Sequence, residues 1–476
     1  MKAEPSTVRS IAMIAWPALA MLMVASVGSI AQLSDSATFG WGAVTVYLIP
    51  ALLFLLPVGL VSAELATSHR GGIFVWVRDA FGDRSGFQAT WFVFMNSVTL
   101  YPSLLSFGAA ALATALGRPD LASNGLYMGA VVLVVFWLAT WIVSRGISAS
   151  AGISNIGLIL GTIIPAMCLI FFMFAWLVDG RTTQIPLESA SDFVPPFDGL
   201  SSIALVVGTF VAFAGLEVNA VHIEHLQGKP RNYLKAVLVA AVVVFTMYLL
   251  GSLAISTVVP DSTLELTSGA SQAFTAYADG FGVPGLSNIL SGLLVVGSLA
   301  AAIAWIGGPS RSMWLVGRAG YLPKGLQKTN RNDVQQPLLL LQGAIVTVLA
   351  LVFVVAPNTS SAFALLQDVS IILYMCMYVF MFAAVIKLRR SQPDRARPIR
   401  IPGVSLIAIV GILASLAAIV LGISPPSGYT STSATTYAVI VIAGVVALAI
   451  PPQFIYRFRR ASWATDPDAA ESTTDA

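Results

Sequence analysis

Apolar runs long enough to cross a bilayer recur along the whole chain, at 8–30, 41–65, 87–116, 125–143, 153–178, 200–221, 236–259, 289–316, 338–355, 363–386, 404–423 and 437–455. They predict an all-α membrane protein with twelve transmembrane helices. The first run is too long for a signal sequence, contains Trp16-Pro17 and lacks a small-residue cleavage site, so a retained helix is expected. A shorter stretch, GGIFVWVRDAFG (71–82), is amphipathic and is expected along the membrane interface between the second and third helices.

One run is broken in its middle. In GTFVAFAGLEVNAVHIEHLQGKPRNYLK (208–235) a glycine and a carboxylate fall at Phe213-Ala214-Gly215-Leu216-Glu217. A charge near the bilayer centre costs on the order of 3 kcal/mol on insertion scales, so it faces a cavity or a partner. Backbone freed from a helix is tolerated at that depth only where it lines a cavity or is buried in protein. The stretch is therefore the first candidate for a substrate site; a carboxylate hydrogen-bonded between helices, with no part in transport, is the alternative.

A second soft point lies five helices earlier. Ser26, Val27, Gly28 and Ser29 follow Ala25 in a run of small residues, with Gln32, Ser34 and Asp35 beyond. Half-helix N-termini suit a carboxylate and unwound carbonyls suit an amine, which is what an amino acid presents. Ordinary small-residue helix packing explains the run taken alone.

Composition and charge agree with a polytopic protein. Of 476 residues 57% are hydrophobic and 10% charged, against about 25% charged in soluble domains. If the N-terminus is cytoplasmic, every Lys and Arg except Arg118 and Arg181 falls in an inside segment. Both termini are then cytoplasmic, and the basic loops report topology rather than nucleic-acid binding. Cys168 and Cys376 sit inside apolar runs, with no disulfide or metal role. His222-Ile223-Glu224-His225 lacks zinc-protease spacing and reads as a solvated helix end; no metal or cofactor is expected. No phosphate-binding glycine loop supports an ATP-driven pump, and an isolated carboxylate does not make an enzyme site. Glu217 is the candidate proton carrier; Glu64, near the inner end of the second helix, reads more easily as a helix-end partner.

PVGLVSAELAT (57–67), GGIFVWV (71–77), GLEVNAVH (215–222), WIGGPSR (305–311), RPIRIPG (397–403) and ALAIPPQFIY (447–456) together resemble the amino acid–polyamine–organocation superfamily, and within it the bacterial glutamate/GABA antiporters. The resemblance implies a LeuT-like fold of two inverted five-helix repeats (8–178 and 200–388), with broken first and sixth helices, two further helices (404–455) and an extracellular loop at 179–199. A cytoplasmic N-terminus (1–7) and a disordered cytoplasmic tail (456–476) complete the expected organisation. It also implies that Glu217 handles substrate and proton together, that Trp305 closes over the substrate, and that Tyr374 and Tyr378 contact it or gate it. A core or lipid-facing Trp305 is the alternative, and Arg311 belongs to the cytoplasmic mouth. Three positions depart from the antiporter pattern: Ala301 replaces a glutamate, the first helix offers serines without a tyrosine, and the tail is short. Asp368 is an addition on the tenth helix, a candidate for selecting an amine-bearing substrate or a carboxylate simply hydrogen-bonded near the interface. In this fold sodium sites need hydroxyls on the eighth helix, where GSLAAA (297–302) supplies one serine.

The expected function is secondary transport of an amino acid or related amine across a bacterial inner membrane, by antiport or proton-coupled uptake without sodium. A glutamate/GABA exchanger proper is the narrower alternative; a channel or a transporter-like sensor is the alternative of another class. Expected partners are the small-molecule substrate and membrane lipid, a homodimer being compatible with the chain.

Overall fold

The structure, a computed structural model, describes residues 13–195, 206, 209, 210, 212–356, 358–425 and 433–466. It is helical throughout; the only strand-like pairing among the described residues is an isolated bridge between Ile14 and Leu226. The helices are α1 (Trp16–Val27), α2 (Ile30–Ala37), α3 (Gly40–Ser68), α4 (Gly72–Phe81), α5 (Asp83–Ala115), α6 (Gly125–Ser144) and α7 (Gly152–Val178). After a 3-10 segment at Leu216–His225 come α8 (Arg231–Val258), α9 (Gly269–Phe281), α10 (Leu286–Tyr321), α11 (Gln336–Val355), α12 (Thr359–Ser391), α13 (Val404–Leu421) and α14 (Ala434–Arg457).

Ten of these can cross a membrane, or eleven if α1 and α2, bent by 49°, count as one span. The remaining expected span, 200–221, is described only in part, with Val206, Thr209, Phe210 and Ala212 helical. Burial sorts the helices into layers. Most of the central window of α5 (78%) and of α12 (72%) is buried, against 11% in α14, so α5 and α12 form the middle of the bundle and α14 its edge. The outer faces remain apolar, with Met167, Phe171, Leu406, Leu413 and Val439 exposed, as a hydrocarbon solvent requires.

Small residues let helices meet at backbone distance. A Cβ placed on Gly161 of α7 would lie 2.0 Å from the Gly297 nitrogen of α10, and one on Gly297 would lie 2.2 Å from the Gly161 oxygen. The amphipathic helix α4 packs its apolar face on the bundle: Phe74, Val75, Trp76 and Val77 are all buried, against α5 and α12.

The basic end of the bundle is closed by ion pairs. Glu64 of α3 accepts two 2.6 Å bonds from Arg389 of α12 and one of 2.8 Å from the Ile401 nitrogen, with Arg397 at 3.7 Å. Beside it, His69 Nε2 faces the Gln392 amide oxygen at 3.2 Å, and Arg395 donates to the Ser68 carbonyl. The tail departs from the expected disorder where it is described. Thr465 and Asp466 nitrogens donate to the Arg318 carbonyl, Gln327 bonds to Trp463 and Thr465, and Arg318 pairs with Asp466 at 3.2 Å. The acidic, small-residue composition that suggests disorder is outweighed here by carbonyls left free where α10 ends. Residues 467–476 lie outside the described residues.

Gly297→Val is expected to lower stability by about 1–3 kcal/mol through overpacking, read as a lower melting temperature of the purified protein; an unchanged melting temperature would refute the contact. Burial, with the Arg395 guanidinium nearby, holds the His69 pKa below its ordinary 6.5 against the pull of Gln392. The unfolded chain then takes up a proton that the folded chain refuses, so stability is lost as pH falls through about 6.5. His69→Asn should flatten that acid limb in melting curves between pH 5 and 8, and an identical slope would count against it.

Candidate functional site

The α1 helix stops at Val27. Gly28 and Ser29 are extended (ψ 116° and 125°) before the chain turns into α2. An interruption at this depth frees backbone groups that must find partners, and α8 supplies one. The Tyr248 hydroxyl donates to the Val27 carbonyl at 2.7 Å and accepts from the Ser29 nitrogen at 3.0 Å. One turn on, Ser252 donates to the Leu33 carbonyl at 2.8 Å, and Ser256 to that of Ala37 at 2.6 Å. Three hydroxyls at i, i+4 and i+8 thus run along the broken first span. Tyr47 of α3 stacks on Tyr248 at 5.8 Å, and Phe213 meets both rings edge-on.

The second interruption is at Ala214 and Gly215. Gly215 takes φ +114°, a region open to glycine and strained for other residues, and the chain continues as the 3-10 segment Leu216–His225. Here the partner comes from α12. The Gly215 nitrogen donates to the Tyr378 hydroxyl at 2.8 Å, which donates to Glu217 Oε2 at 2.6 Å, while Tyr374 donates to Oε1 at 2.6 Å. The two tyrosines, one turn apart on α12, have ring centroids 4.9 Å apart, and Phe54 of α3 packs edge-on against Tyr378 at 4.9 Å. Glu217 is 6% exposed, and among the described residues no Lys, Arg or His is paired with it.

The two interruptions touch. The Asn219 side-chain nitrogen donates to Ser26 Oγ at 2.8 Å, and a Cβ on Gly215 would lie 3.3 Å from the Ser26 carbonyl oxygen. Ser26, Val27, Gly28, Ser29, Phe213, Gly215, Glu217, Tyr374 and Tyr378 are therefore gathered at one place, with Ala214 and Leu216 buried in the same turn. Tyr47, Tyr248 and Asn219 join them without having been expected. The signal available for Tyr248 was the four-residue spacing of hydroxyls within an apolar run.

Trp305 is half-buried on α10, packed against the same apolar core as Phe213 and Tyr374; its carbonyl accepts from Tyr101 at 2.9 Å, and among the described residues no hydrogen bond or ring contact links it to Glu217. Asp368 accepts from Tyr437 of α14 at 2.6 Å, so its carboxylate is bonded to the edge helix. Arg311 lies over the Trp314 ring at 4.1 Å, at the basic end near Asp333. Side chains of His222, Glu224 and His225 lie outside the described residues. Among the described residues no group of three His, Cys, Asp or Glu could hold a metal ion.

A family model described as amino acid permease matches residues 13–446. The chain belongs to the amino acid permease family. Members of the family are membrane transporters and not enzymes. This permease is 34% identical over 440 residues to an uncharacterized transporter of Legionella pneumophila, covering 91% of this chain and 94% of that one. It is 28% identical to a glutamate/gamma-aminobutyrate antiporter of Lactococcus lactis (86% of this chain, 83% of the other). It is 23% identical to a probable agmatine/putrescine antiporter of the same species, with 90% of each chain covered.

Tyr378→Phe removes at once the acceptor for Gly215 and a donor to Glu217. Buried groups left unpaired cost about 1–3 kcal/mol, so substrate transport by the reconstituted permease should fall about tenfold or more, and less in Tyr374→Phe, which removes one donor only. Wild-type transport rates in Tyr378→Phe would sink this account of the site.

Proposed function

We propose that this permease is a secondary active transporter that moves an amino acid or a related amine by alternating access, as an antiporter or with a proton, without sodium. The observation that carries the reading is the contact of two helix interruptions around one buried carboxylate. A rigid helix pair would need neither the extended Gly28-Ser29 nor the left-handed Gly215. Together they offer backbone N–H groups at the start of Leu216–His225 and carbonyls at the end of α1, the complementary ends that an amino acid's carboxylate and ammonium require. The same geometry supports a twelve-helix LeuT-like arrangement with broken first and sixth spans. The distribution of Lys and Arg supports cytoplasmic termini in an inner membrane.

Glu217 is suited to the coupling role. It is held by neutral hydroxyls, so gaining a proton or meeting a substrate ammonium changes its charge balance without breaking an ion pair. Sodium independence is supported by the eighth predicted span: Ser298, its one hydroxyl in 297–302, donates to the Val295 carbonyl of its own helix at 3.0 Å. The narrower reading, glutamate/GABA exchange, is favoured by the Lactococcus lactis relative and opposed by Ala301, which puts no second carboxylate on α10.

The test is counterflow in proteoliposomes loaded in turn with glutamate, GABA, a neutral amino acid, arginine and a small amine, at acidic and neutral pH and without sodium. Saturable exchange of at least one substrate, lost in Glu217→Gln, is expected. Flux that neither saturates nor depends on internal substrate would make the protein a channel, and glutamate-for-GABA exchange would establish the narrower reading despite Ala301.

A further inference from the structure

One polar cluster takes no part in the site just described. It lies beyond the first interruption, toward the end of the bundle opposite the basic loops. Asp35 follows the first apolar run, and α2 carries it into the protein, where it is 3% exposed. Gln32, three residues earlier on the same helix face, is 8% exposed, and Gln367 of α12 is 5% exposed. Gln367 donates its Nε2 to Asp35 Oδ2 at 2.7 Å. What remains is three acceptors, Asp35 Oδ1, Gln367 Oε1 and Gln32 Oε1, all buried and none with a hydrogen-bond partner among the described residues.

Chemistry restricts what such a cluster can take. Each unpaired acceptor costs about 1–3 kcal/mol, and a buried carboxylate without a cation costs more. The basic residues of this end, Arg118 and Arg181, are paired with Asp120 and Asp179 at 3.1 and 2.6 Å. Asp368 follows Gln367 in sequence but is held by Tyr437 of α14. A partner that brings several donors and one positive charge would satisfy the three acceptors and the carboxylate together. A primary ammonium group has three N–H donors, no lone pair and one charge.

We propose that Asp35, Gln32 and Gln367 form a second binding station, for a primary ammonium group, separate from the Glu217 site. The partners of the two sites on α12, Gln367 and Tyr374, are seven residues or about 10 Å apart along that helix. The ammonium comes from an amino acid or from a free amine, and only that assignment rests on the transport reading. As a carrier the permease would capture the amine end at Asp35 before the substrate reaches Glu217.

The experiment uses the purified full chain and follows its melting temperature with propylammonium chloride, tetramethylammonium chloride or sodium chloride at equal ionic strength. Propylammonium is expected to raise the melting temperature of the wild type and of Glu217→Gln; tetramethylammonium, which has no N–H donor, and sodium are not. Asp35→Asn should abolish the shift and Gln367→Met should raise the half-saturating concentration about tenfold; if Asp35→Asn does not fold, Gln367→Met carries the test. An unchanged response in these variants, no response in the wild type, loss of the response in Glu217→Gln, or an equal response to sodium would each overturn the proposal. A wild type that binds propylammonium through Asp35 yet shows no counterflow would leave the station standing and remove the carrier reading. Glycine at the same concentration then separates the sources: a shift equal to that by propylammonium identifies amino-acid ammonium as a ligand of the station, and no shift by glycine assigns the station to free amines.

Discussion

The Gly215 nitrogen, the Tyr378 hydroxyl and the Glu217 carboxylate form one hydrogen-bonded line, and the departure of the chain from helix at membrane depth depends on it. A backbone N–H freed inside an apolar bundle has no water to turn to, and the carboxylate there has no counter-ion among the described residues. Tyr378 answers both with a single hydroxyl, accepting on one side and donating on the other. Tyr248 does the same for the first interruption. In each case the clamp comes from a different helix, α12 or α8, so the breaks are stabilised by tertiary structure and not by local sequence.

That arrangement makes the breaks conditional. Moving α12 away from Leu216–His225 would strip Glu217 of both donors and leave the Gly215 N–H unpaired, three buried polar losses together. Such a movement becomes affordable only when something else satisfies the same groups, whether water admitted from one side, a proton on Glu217, or a substrate ammonium. In the transport cycle proposed above, alternating access would be coupled to ligand by the need to keep polar groups paired, with no ion pair to break among the described residues.

Much of this architecture is legible in the sequence. The apolar runs locate the described membrane helices to within a few residues at most ends, because a hydrocarbon solvent demands length and apolarity and little else. Gly215 and Glu217 mark the second interruption because both conflict with that demand. What is not legible is which neighbour answers a conflict. Tyr248, Ser252 and Ser256 look like incidental polar residues in an apolar helix until α1 and α2 are laid beside them. Asp368 shows the reverse: residue type and sequence position suit a site, but its carboxylate is bonded to Tyr437 of α14. Asp35 fell just outside the first apolar run because three polar side chains, Gln32, Ser34 and Asp35, end the hydropathy signal before the helix ends.

The element that relates these parts is α12. From one end to the other it meets three buried carboxylates carried by three different segments: Asp35 of α2 through Gln367, Glu217 of the 3-10 segment through Tyr374 and Tyr378, and Glu64 of α3 through Arg389. Along a helix the first two contacts are about 10 Å apart and the last lies about 16 Å further on. The chemistry of the three differs: an amide at Asp35, hydroxyls at Glu217 and a bidentate guanidinium at Glu64. Only the last is a full ion pair, and it sits at the basic end, where Gln392 and Arg395, just past α12, also reach His69 and Ser68 at the end of α3. The strongest tie therefore fixes α12 at one end, while the weaker, neutral ties lie at the centre and at the far end. The two buried carboxylates held without a cation, Asp35 and Glu217, thus meet the part of α12 away from that ion pair, where the helix is packed on all sides by its neighbours.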